Sequence, residues 1–111
     1  MSQNVACNFE IGSTVSVKCT ARKGMFSHEL AVLIRGRDQW YESLVDAELV
    51  CLQENEGDGV QRPATIRATV VNVNCTNVLV ELPRQVVAGG RRIWIPTSEV
   101  VGYGDSVTTG D

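Results

Sequence analysis

Arginine and aromatic side chains are the residues of this chain whose types and spacing could do chemistry. Arg35 and Arg37 flank a polar turn, Gly36-Arg37-Asp38, and Arg84, Arg91 and Arg92 flank a longer loop closed by Gly89-Gly90. A guanidinium offers a planar fork of donors suited to bidentate capture of carboxylate or phosphate. The plain alternative is that hairpin ends are solvated and carry charge for solubility and edge protection. Strand parity decides which aromatics join them. With Ile93 and Ile95 facing a core, Trp94 falls outside beside Arg92. Aligning Leu44 with Ile95 puts Trp40 and Glu42 on the core side and leaves Tyr41 outside with Ser43. Tyr41 and Trp94 are thus the expected surface aromatics, able to stack on a base or pack on a peptide. The competing expectation for Trp94 is cover by the C-terminal segment, through Tyr103, or by a neighbouring subunit.

Catalytic chemistry has little to build on. His28 is the only histidine, and Glu29, Glu42, Glu81 and Glu99 lie on or beside strands with no spacing that brings two to one point. Such charges commonly serve as cross-strand partners of Arg and Lys. Cys7, Cys19, Cys51 and Cys75 stand far apart without a Cys-x-x-Cys pair, so neither a zinc site nor a disulfide framework is expected. Cys19 falls on the apolar side of its strand and is expected in the core. No metal, no cofactor and no enzymatic activity are predicted. The net charge of −3 argues against a polycation built for nucleic acid, and a local basic face stays open. With neither a basic apolar leader nor a bilayer-length apolar run, the sequence reads as a soluble cytoplasmic protein.

The elements that position these residues show a faint internal duplication of about fifty residues. Thr14-Val15 recurs as Thr65-Ile66, and Glu48-Leu49-Val50 as Glu99-Val100-Val101. From Thr14 to Arg22 apolar and polar residues alternate with period two, the mark of a half-buried strand. Strands are also expected over 29–35, 39–45, 49–52, 64–73, 78–82, 91–95 and 99–101. Single helical turns are expected near Asp46-Ala47-Glu48 and Pro96-Thr97-Ser98. No segment carries ten residues of helical periodicity. The predicted class is all-β, divided into a lead-in (1–11, with Phe9 and Ile11 docking on the core), a first β repeat (12–52), an acidic linker (53–59), a second β repeat (60–101) and a flexible tail (102–111). The strand Leu30 to Ile34, apolar on both faces, is the expected contact between copies or subunits.

Ile93-Trp94-Ile95-Pro96-Thr97-Ser98-Glu99-Val100-Val101 resembles the closing segment of SH3-like small barrels, where a strand enters a 3-10 turn and leaves as a short final strand. Leu44-Val45-Asp46-Ala47-Glu48-Leu49-Val50 looks like a proline-less version. The resemblance implies two SH3-like half-repeats, and Tudor-, KOW- and Sm-like barrels share that architecture. The chain lacks the acidic-aromatic motif and paired tyrosines of signalling SH3 domains, so proline-rich peptide binding is not implied. A copy this small buries too little apolar surface to stand alone, so the copies should pack as abutting or merged barrels. The function expected is a non-enzymatic binding module for a protein partner or for self-assembly, through Tyr41, Trp94 and the hairpin arginines. Single-stranded nucleic acid or RNA on the same face is the alternative.

Overall fold

A computed structural model describes residues 9–52 and 61–101. The alternating runs fold as strands β1 (Thr14–Lys23), β2 (Glu29–Arg35), β3 (Trp40–Asp46) and β4 (Val50–Leu52), with a 3-10 turn at Ala47–Leu49 before β4. Then follow β5 (Arg62–Asn74), β6 (Asn77–Glu81), β7 (Arg92–Pro96), a 3-10 turn at Thr97–Glu99 and β8 (Val100–Val101). All pair antiparallel in one sheet, in the order β3-β2-β1-β5-β6-β7, with β4 added to β5 and β8 to β1. The sheet curls into a half-barrel. Its two ends approach each other: Ser43 bridges Val86, Val87 N–H donates to Glu42 C=O at 2.7 Å, and Arg37 N–H donates to Trp94 C=O at 2.8 Å.

The centre of the sheet is the long β1–β5 ladder, from Thr14↔Thr69 to Ala21↔Arg62. Both strands alternate cleanly, which sends Val15, Val17, Cys19, Ala21, Ala64, Ile66, Ala68 and Val70 inward. With Val32, Ile34, Val45, Val78, Val80, Leu82, Ile93 and Ile95 they form a single core drawn from both halves of the chain. The contact between halves is therefore this ladder, and not Leu30–Ile34 as its two-sided hydrophobicity suggested. β2 lies between β1 and β3, with Val32 and Ile34 facing the core and Ala31 and Leu33 on the outward side.

The closing strands are exchanged. β4 pairs with β5 (Val50↔Ile66), and β8 pairs with β1 (Val17↔Val100). β5 can take β4 and β6 on one edge because it is long, and a register shift between Val70 and Asn72 falls within its β6-paired half. The strand expected over 64–73 thus runs from Arg62 to Asn74. Phe9 packs on the core as expected, whereas Ile11 is exposed. The predicted acidic linker (53–59) and the tail (102–111) lie outside the described residues.

Candidate functional site

The residues that sequence reasoning singled out gather in part around the β2–β3 turn. Gly36 N–H donates to Gln39 C=O at 2.8 Å and closes it. A Cβ at Gly36 would collide with the Tyr41 ring and lie 2.7 Å from the Gln39 carbonyl, so the turn needs glycine there. Arg37 lies over Trp94, its Cζ 5.5 Å from the ring centroid, and its Nε donates to Asp38 Oδ2 at 3.2 Å. A cation over an indole face at an exposed site contributes about 0.5–1 kcal/mol. Trp94 points outward as expected, opposite Leu79, but the Arg37 contact helps leave it only half-exposed.

The phase of β3 is opposite to the expected one. Tyr41 packs against the core instead of standing outside, while Trp40 is 58% exposed and Leu44 41% exposed. Ser43, with only 1% exposed, occupies the inward position between Tyr41 and Val45. Burial is tolerated because its Oγ donates to Gln85 C=O at 2.8 Å. The signal that could have revealed this is Glu42. A mid-strand carboxylate belongs outside, and Glu42 there meets Arg22 at 2.9 Å, with Trp40 and Leu44 necessarily on its face.

Arg35 stands opposite Trp40 in the ladder. Together with Lys18, Thr20, Leu33 and Glu99 they line a cleft of about 200 Å³. Neither Arg35 nor Lys18 has an ion-pair partner among the described residues. Arg91 and Arg92 are occupied differently. Both meet Glu81, at 3.7 and 3.0 Å, and Arg91 Nε donates to Leu82 C=O at 3.1 Å, so they clamp β6 to β7. Arg84 is exposed and is not brought to the Trp40 cleft.

Among the described residues no three His, Cys, Asp or Glu side chains converge as a metal site would require. Cys19 is buried, and desolvation pushes its thiol up to about 12. Cys51 and Cys75 are exposed. No helix among the described residues is long and apolar enough to cross a membrane. Comparison with protein-family models, curated proteins and solved structures finds no match for this chain.

Proposed function

We propose that the chain is a small non-enzymatic protein-binding module that engages a protein partner, or a second copy of itself, through the outward face of β2 and β3. The observation that carries this is Trp40. Its ring is 58% exposed on the same face as Leu33 and Leu44, beside the unpaired Arg35. Large apolar side chains grouped on one outward face, edged by cations, fit a protein surface better than a nucleic acid. Tryptophan and arginine are also the side chains that most often dominate protein interfaces. The order of three strands, a 3-10 turn and a short strand occurs twice, which supports two SH3-like half-repeats merged on one core. The free thiols of Cys19 and Cys51 support a reducing compartment such as the cytoplasm.

A photo-crosslinking side chain in place of Leu44 tests the reading on the full chain. It should form protein adducts that disappear on Trp40→Ala, while the unfolding free energy stays within about 0.5 kcal/mol of the parent. A dimer in light scattering that Trp40→Ala dissociates identifies the second copy as the partner. Adducts indifferent to Trp40 refute the proposal. So does salt-sensitive retention of a single-stranded oligonucleotide without protein adducts.

A further inference from the structure

We infer that the outward face of the β1–β5 ladder, centred on Arg67 and Lys18, is a binding site for an oxyanion, the phosphate or carboxylate group of a ligand. The ladder sets Lys18 opposite Thr65 and Ser16 opposite Arg67, so the two cations are diagonal neighbours flanked by hydroxyls. Every outward position of the ladder from Thr14 to Arg22 and from Pro63 to Thr69 is a hydroxyl residue, a cation or proline, and none is an acid. Like charges placed this close on one sheet face repel, and an anion bound between them removes that cost. Neither Arg67 nor Lys18 has a hydrogen-bonding or ion-pair partner among the described residues. The acidic chain thus keeps two cations without an ion pair at the centre of its sheet, although Glu99 shares a cleft with Lys18.

The backbone opens room for a ligand at the same point. β4 covers the free edge of β5 only as far as Ile66, and β6 resumes at Thr69↔Glu81. Continuing that register places Pro83 opposite Arg67, and proline has no N–H to carry the ladder on. Two clefts meet there, one of about 600 Å³ reaching Ser16, Thr65 and the 3-10 turn before β4, the other of about 220 Å³ reaching Thr14 and Arg91. Arg67 and Pro83 line both. Glu81 borders the smaller cleft but is held by Arg91 and Arg92, and Glu48 borders the larger without pairing to Arg67. Lys18 lines neither cleft and stands one ladder diagonal away, on the rim shared with the Trp40 cleft. The Arg67 guanidinium fork with hydroxyls beside it matches the tetrahedral or planar oxygens of such a group, and Lys18 adds charge from the neighbouring position.

The test is a titration of the isotopically labelled full chain with inorganic phosphate and, separately, with acetate, at constant ionic strength. The Arg67 Nε–H and the amides of Lys18 and Arg67 are followed by magnetic resonance. Phosphate should shift them in a saturable way, and Arg67→Gln should weaken binding by at least about tenfold. Lys18→Gln should weaken it less, since a point charge is lost and the fork is kept. Lys23→Gln, the same charge change on the opposite side of β1, should leave binding within about twofold. A response to phosphate alone identifies a phosphorylated ligand, and an equal response to acetate identifies a carboxylate. Absent shifts overturn the inference, as do shifts unaffected by Arg67→Gln or reduced equally by Lys23→Gln. Lys18 borders the Trp40 cleft as well, but the two clefts at Arg67 do not reach Trp40, so Trp40→Ala should leave the Arg67 response to phosphate in place and either reading can fail alone.

Discussion

Replacing Ile66 by alanine tests whether the chain is one cooperative unit. Ile66 is 1% exposed and sits on β5 between Val17 of β1 and Val50 of β4, so it touches the ladder joining the halves and the exchanged closing strand. Losing three buried carbons removes about 2.4 kcal/mol of transfer free energy at about 0.8 kcal/mol each. The residues flanking it on the same face, Ala64 and Ala68, are too small to swell into the space. A cavity term therefore adds, and the total is about 3.5 kcal/mol, within the range for such truncations. With a urea slope of about 1.5 kcal/mol/M the midpoint should fall by about 2 M. The fluorescence of Trp40 and Trp94 together gives the transition, and hydrogen exchange at Val32 and Val80 samples the first and second halves. A shared core predicts one transition, with protection at both amides falling by the same free energy. A loss confined to Val80, with Val32 unchanged, would refute the merged core.

Two further outcomes follow from single side chains. Ser43→Ala should cost about 1 kcal/mol through the lost bond to Gln85, and Leu44→Ser at the exposed neighbour about 0.5 kcal/mol or less. The reverse ranking in chemical denaturation would mean that β3 faces the other way. Cys19 should resist thiol reagents at pH 8 while Cys51 reacts, because burial holds the Cys19 thiol protonated up to about 12 against an ordinary value of 9.0. A raised thiol pKa leaves the unfolded chain with fewer bound protons above pH 9. Stability should then fall between pH 9 and 12 and be insensitive to this group below that window, and Cys19→Ala should flatten the fall.

Much of the architecture was legible because period two is a strong signal where both faces of a strand differ. Thr14 to Arg22 shows this, and the strand Glu29–Arg35 matches its predicted bounds. β3 was misread because its two faces are nearly balanced: Trp40, Glu42 and Leu44 on one, Tyr41, Ser43 and Val45 on the other. Two apolar residues in three on each side give hydrophobicity no vote. The outcome depended on a long-range bond from Ser43 to Gln85, forty-two positions away, which no local pattern encodes. The hairpin arginines were found by type, but their partners separated them. Arg91 and Arg92 spend their charge on Glu81, whereas Arg35 keeps its own beside Trp40. Lys18 and Arg67 escaped notice because each is an ordinary outward strand residue until the register sets them side by side.

Strand exchange explains why the candidate surfaces lie where they do. Because β4 completes its pairing on β5 and β8 on β1, neither half closes its own edge, and the core must be shared. A shared core places β1 and β5 back to back with the interior, leaving their outward face as the largest continuous stretch of sheet drawn from both halves. Any ligand held there touches Lys18 from the first half and Arg67 from the second. Binding at that seam would therefore oppose separation of the halves, and stabilise the folded chain by RT ln(1 + L/Kd) at free ligand concentration L. The Trp40 face belongs to the first half alone, on β2 and β3 at one end of the sheet. At constant ionic strength phosphate should accordingly raise the unfolding midpoint of the parent and of Trp40→Ala alike, and that of Arg67→Gln by less, the remainder being the general effect of phosphate on folded proteins.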